Sequence, residues 1–142
     1  MEQRIVYERY PIFTLDVPKS ETDLTSIEAL AGHFRSHIEA HHCARFIAVF
    51  DHFAHTRALP EGEINPTILD AKNVVFCFGM SIPNPEILAL RPRSIGLAEL
   101  SDRFVISFLE PPMPLANAAM ERWAHGALRP GARQPHAATA GA

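Results

Sequence analysis

Only two cysteines occur in the chain, Cys43 and Cys77. They are too few for a disulfide framework, and both lie in apolar runs where a free thiol behaves as a small hydrophobe. No run approaches the roughly 18 apolar residues needed to cross a bilayer, and nothing after Met1-Glu2-Gln3-Arg4 has the length of a signal peptide. A cytoplasmic protein with no membrane partner is therefore expected. Positive charge is scarce too: 13 Lys and Arg against 16 Asp and Glu leave a net charge of −3, so no basic field draws in nucleic acid. No Gly-rich phosphate loop, CxxC pair, nucleophile elbow or carboxylate dyad is present, which argues against the large enzyme classes. No cofactor is predicted.

What the chain does have is the apolar content of a globular protein, 47% of its 142 residues with 20% charged, at the commonest size for one domain. That domain is expected over residues 1–128. Residues 129–142 are Ala, Gly, Pro and polar with no apolar period, the composition of a disordered tail.

Residues 10–17 alternate around Ile12, Phe13, Leu15 and Val17, a strand placed near an edge because Pro11 cannot donate to a ladder. Ser26 or Thr25 caps a helix running to about His41, with an apolar stripe of Ile27, Leu30, Ala31, Phe34 and Ile38. Residues 44–50, apolar and rich in β-branched and aromatic side chains, predict a central strand buried on both faces. A polar crossover at 51–70 leads to a second two-faced strand at 73–78, and Gly79 ends it. Asn84 and Pro85 open a short helix over 86–90. Two strands follow, 94–100 and 103–109, joined by Ser101-Asp102. The last helix, 114–125, buries Leu115, Ala116, Ala119, Met120 and Trp123, with Gly126 at its C-cap.

The predicted class is α+β: a mixed or mainly antiparallel five-stranded sheet packed with two main helices, in the order β-α-β-β-(short α)-β-β-α. Two helices cover one sheet face but not both, so a homodimer is expected to cover the other.

Phe50-Asp51-His52, Val74-Val75-Phe76 with Phe78-Gly79, Pro83, Pro85, and Val105-Ile106-Ser107-Phe108 before Pro111-Pro112 form a recognisable series. On these residues the stretch 46–113 resembles the bacterial family catalogued as domain of unknown function 302. Met80-Ser81 stands where that family has Asn-Pro, and Arg91-Pro92-Arg93-Ser94 replaces its Asp-Leu-Pro segment. A separate family of similar layout is the alternative. The resemblance implies a small sheet-plus-helices fold that dimerises, and it implies no chemistry.

Three constellations are chemical candidates. The first is Asp51-His52-Phe53-Ala54-His55, directly after an apolar strand, where sites of sheet proteins tend to form. A helix starting at Asp51 puts His52 and His55 on one side; a continued strand puts them on opposite sides. The structural alternative makes Asp51 an N-cap and the histidines turn residues. The second is Arg91-Pro92-Arg93-Ser94, two guanidinium groups on a stiff segment suited to a carboxylate or phosphate. Surface pairing with Glu86, Glu99 or Glu110 is its bland counterpart. The third is His33, His37 and His41 at i, i+4 and i+8 on the first helix, with His42 beside them. Two histidines at that spacing chelate zinc or copper, but no metalloprotease Glu lies between them. Cys43, next to His42, is a thiolate or soft-ligand candidate; Cys77 in mid-strand belongs to the core.

The favoured reading is a non-catalytic domain that binds a small anionic ligand or a partner, with His52, His55, Arg91, Arg93 and Ser94 lining the site. An enzyme is the first alternative, with His52 as general base, Asp51 as its orienter and Arg91 or Arg93 as anion clamp. A metal or haem protein using His33, His37, His41, His52 and His55 is the second.

Overall fold

The structure, a computed structural model, describes residues 1–6 and 9–132. It is an α+β fold built on one antiparallel sheet. In chain order the strands are β1 (Glu2–Val6), β2 (Tyr10–Pro18), β3 (Ala44–Phe50), β4 (Asp70–Phe78), β5 (Arg93–Glu99) and β6 (Arg103–Leu109). The helices are α1 (Ile27–Ala40), α2 (His52–Ala58) and α3 (Pro114–His125), with 3-10 turns at Lys19–Glu21 and Pro85–Leu90. The sheet order is β1-β2-β6-β5-β4-β3, and every neighbouring pair is antiparallel.

The helices form where local chemistry starts and stops them. The Ser26 hydroxyl accepts the Ala29 N–H at 3.0 Å and caps α1. Its expected stripe of Ile27, Leu30, Ala31, Phe34 and Ile38 is buried against the sheet. Pro114 opens α3, and the Gly126 N–H closes it on the Arg122 carbonyl at 2.9 Å. Trp123 locks α3 down, its ring centroid 5.7 Å from Phe76 and 6.4 Å from Phe78. Leu115, expected on the buried side, is 78% exposed. With Leu15, Val17, Ile95, Leu97, Phe104 and Ile106 these residues make one core, on one face of the sheet.

Several expectations need correction. Among the described residues there are six strands, since Glu2-Gln3-Arg4-Ile5-Val6 pairs with β2; this stretch buries almost nothing, so no hydrophobic period marked it. None of the pairs among them is parallel. Strand β3 is not central but forms the sheet edge. Its apolar run is interrupted by a bulge between Phe46 and Ala48, which leaves Ile47, Val49 and Phe50 at 51%, 40% and 42% exposure. An apolar run does not say whether another strand lies beside it. The helix expected over 86–90 is a 3-10 turn, although the Asn84 carbonyl accepts the Ile87 N–H as a cap should. Pro11 lies on the second strand from an edge, opposite Ile5.

The segment expected as a tail lies outside the described residues from 133 onward. Its first residue is tied down: the Arg129 N–H donates to Glu21 O at 2.8 Å, and its guanidinium lies 2.9 Å from the Asp23 carboxylate. Among the described residues no helix is long and apolar enough to cross a membrane.

Candidate functional site

Because strand side chains alternate, the face opposite α1 and α3 carries Ile12 and Thr14 of β2, Ser107 and Leu109 of β6, Ser94 and Gly96 of β5, and Asn73 and Val75 of β4. Ser94, Gly96 and Ser107 are its small members, with Gly96 directly opposite Ser107. A groove of about 390 Å³ is lined by Ile12, Asn73, Leu90, Pro92, Arg93, Ser94, Gly96, Ser107 and Leu109. Its floor is tight at Gly96, where a Cβ would stand 3.1 Å from Ser107 Oγ and 3.9 Å from Asn73 Nδ2. A second groove of about 500 Å³ continues over Glu110, Pro111 and Asn117 at the start of α3. The two share Leu90, Arg93 and Leu109, which places Arg93 at their junction.

Arg93 has unusual surroundings for an arginine. Its Nη2 donates to the Leu109 carbonyl at 2.6 Å, and burial lowers its pKa from the ordinary guanidinium value, leaving it a cation. Among the described residues no carboxylate lies within 4.0 Å of it. Two of its expected surface partners are engaged elsewhere: Glu99 with Lys19 at 2.9 Å and Glu110 with Gln3 at 3.0 Å. A guanidinium has five N–H donors, so most of this fork is available to a ligand. Nearby, the Asn117 carbonyl oxygen is buried with no partner.

Arg91 does not join it. The Arg91 Nη1 donates to Ser81 O at 2.6 Å, and Nη2 lies 3.7 Å from Met113 Sδ. Its guanidinium lies over Gly79, where φ is +130° and a Cβ would stand 2.5 Å from Nη2. Arg91 lines a separate cleft with Ile47, Cys77, Met80 and Ile82. The expected two-arginine clamp is therefore divided. Residues two apart start on one side of a strand, but Arg91 precedes β5, which begins at Arg93.

The backbone does turn helical at Asp51. The Asp51 Oδ1 accepts the Ala54 N–H at 3.0 Å, while Oδ2 lies 3.4 Å from Lys72 Nζ. The hydrogen bond from Ala54 holds the Asp51 carboxyl below its usual value, and Lys72 adds to the effect. His52 and His55 share a side, with ring centroids 6.2 Å apart and each 5.4 Å from Phe50. The orienting partner of His52 is not Asp51. His52 Nδ1 bonds to Asn73 Oδ1 at 2.8 Å, so Asn73 orients the ring. Adjacent residues at a helix start diverge, and the cap directs Asp51 toward Lys72.

Asn73 is the residue that sequence reasoning missed. It lines the Arg93 groove and also holds His52. Of the expected site residues, Arg93 and Ser94 line that groove, His52 reaches it at one remove through Asn73, and His55 stops at Phe50. The signal was a lone amide in an apolar strand, positioned opposite a glycine.

The five histidines expected as metal ligands fall into three groups. His52 and His55 stand by Phe50. On α1, His33 and His37 have ring centroids 4.6 Å apart, and His33 Nε2 bonds to the Trp123 carbonyl at 2.7 Å. His41 leaves the helix as its C-cap and stacks on His42. The i, i+4, i+8 series is broken because the helix ends at Ala40.

The family model described as "Family of unknown function (DUF6858)" matches residues 1–129, and the chain belongs to that family. This overturns the resemblance to domain of unknown function 302. The shared Asp-His and Phe-Gly strand endings are short features of strand-to-loop junctions, and the model that spans the chain is a different one. No curated protein and no solved structure matches.

The histidine chemistry sets a pH dependence. Burial, above all, pushes the His33 pKa below 6.5; the Trp123 carbonyl opposes this and the His37 charge adds to it. Burial is the first cause of lowering at His41 and His125 as well. As pH falls below about 6.5 the unfolded chain takes these protons first. Their stability contribution is thus complete above 6.5 and is lost as pH falls toward the folded-state values. Urea midpoints should drop between pH 7.5 and pH 5, and His33→Gln should flatten the decline; an unchanged pH slope in that variant contradicts the assignment.

Proposed function

We propose that this member of the DUF6858 family is a small-molecule-binding domain that holds a small organic anion in the groove at the Arg93 end of β5, with Arg93 as the anchor. One observation carries the reading: a half-buried guanidinium with no carboxylate within 4.0 Å among the described residues, at the junction of two grooves. Desolvating a cation without an anion is unfavourable, and a ligand carboxylate or phosphate relieves it. Groove volumes of about 390 and 500 Å³ suit a small ligand. Ile12, Leu90, Pro92 and Leu109 offer its body an apolar wall, while Ser94, Ser107 and Asn73 offer polar contacts. His52 supports the site from behind by fixing the Asn73 amide.

The role is binding without chemistry. Asn73, an amide that takes up no proton, holds His52 where an acid–base pair would need a carboxylate. Two free cysteines suit a reducing, cytoplasmic location.

The test is a thermal-shift and calorimetric screen of alkyl and aryl carboxylates and phosphates. At least one should bind saturably, and Arg93→Gln should weaken it about tenfold to a hundredfold, the value of a charge-assisted hydrogen bond. Arg35→Gln, on the exposed face of α1 and paired with Glu39 at 2.6 Å, should leave binding unchanged. No stabilisation by any compound, or equal loss in both variants, contradicts the proposal.

A homodimer is the second part of this reading. Edge strand β3 exposes Ile47 and Phe50, and Ile47 shares a cleft with the exposed Met80, Ile82 and Leu88, an apolar, unpaired edge of the kind that pairs with another chain. Sedimentation at rising concentration should show twice the chain mass, reduced to one by Ile47→Lys; a single-chain mass throughout argues against assembly.

A further inference from the structure

We infer that the turn directly after α1 is a metal site: His41, His42 and Cys43 together bind one borderline or soft transition-metal ion, with zinc the best fit. This proposal is independent of the anion groove.

One donor atom from each of the three side chains lies within 4.8 Å of the others, the one such cluster found among the described residues. The chain leaves the helix at His41 in extended conformation and doubles back, with the Ala44 N–H donating to His41 O at 3.2 Å. That tight turn brings three consecutive side chains to one side, which neither a helix nor a strand would do. The imidazoles of His41 and His42 stack at 4.9 Å and 14°. The turn is firmly supported. The Gly79 N–H donates to Cys43 O at 2.8 Å and ties it to β4, while Phe78 and Trp123 pack against the His41 ring at 4.8 and 5.9 Å.

The donor set selects the ion. Two imidazoles and a thiolate suit zinc or copper, whereas magnesium and calcium need oxygen donors that this cluster lacks. Donors around a tetrahedral zinc stand about 3.5 Å apart, so closing the cluster onto an ion needs side-chain shifts of only about 1 Å. The site lies at the C-terminal end of a 14-residue helix, where the backbone dipole favours a cation.

Binding has a defined balance. The Cys43 thiol releases its proton to solvent. The His41 Nδ1 lone pair, which accepts the Cys43 N–H at 3.1 Å, either turns to the metal, or the ring proton moves from Nε2 to Nδ1 and Nε2 becomes the ligand, the Cys43 N–H bond being given up in both cases. Three protein donors leave a fourth position open, and His42 is exposed, so that position faces water or an incoming ligand.

The experiment uses the untagged full chain, washed with chelator and titrated with Co²⁺ and then Zn²⁺. Expected are one Co²⁺ per chain, tetrahedral visible bands and a thiolate charge-transfer band, all displaced by Zn²⁺. Cys43→Ser should abolish the thiolate band. His42→Ala, an exposed substitution that leaves the fold intact by circular dichroism, should weaken Zn²⁺ binding more than the about tenfold that an outer-shell change costs. His37→Ala should change neither, which separates this cluster from the His33/His37 pair. Absence of saturable binding overturns the proposal. So does a thiolate band that survives Cys43→Ser, and so does weak binding indifferent to Cys43→Ser and His42→Ala, an adventitious ion only.

Discussion

Burial on one side only is the constraint on which the rest of this structure depends. A six-stranded sheet has two faces, and both long helices lie on the same one. Trp123 is the fixing point. Its ring packs on Phe76 and Phe78 of β4, its carbonyl meets His33 of α1, and His41 lies against its edge. Trp123 thereby joins α3 to the sheet and to α1, alongside the buried Ala116, Ala119, Met120 and Ala124. Beneath it Phe34, Phe76, Phe104 and Ile106 have no measurable exposure, and removing such volume from a packed core is destabilising.

The opposite face follows from that choice. With no helix to meet, it is paved with small residues such as Ser94, Gly96 and Ser107, and it is bounded by the 3-10 turn at Pro85–Leu90 and the loop after β6. Polar side chains are affordable there, whereas they would be unsatisfied in the core. Asn73 occupies this face, and Arg93, opposite Phe76 at the start of β5, reaches the groove from the end of the sheet. Each uses part of its hydrogen-bonding capacity on the protein, Asn73 on His52 and Arg93 on Leu109 O, and keeps the remainder directed at the groove. The fold thus supplies a rigid floor, and two side chains supply polarity.

Much of this was legible in the sequence where a period or a cap carried the signal. The stripe of α1, the Ser26 cap, the Asn84 cap, Pro114 and the C-cap at Gly126 all follow from short-range rules, and so does the helical start at Asp51. What depends on pairing across the chain was not legible. Residues 44–50 look like a central strand because they are apolar, yet their place at the edge is decided by which strands find each other. Strand β1 is held by β2 rather than by any pattern of its own. The same limit applied to the site. Arg93 and Ser94 were visible as chemistry, but the division of Arg91 from Arg93 and the His52–Asn73 bond are tertiary facts.

The central claim is that Arg93 holds an anion where the two grooves meet. Its most direct test is an NMR titration that resolves the arginine Nε–H groups while acetate, benzoate or phosphate is added. The account predicts a saturable shift of the Arg93 resonance, accompanied by the Asn73 amide and the backbone of Gly96, with Arg35 and Arg103 unmoved. Equal, non-saturating shifts of all arginines, or a response confined to residues outside the groove, would contradict it.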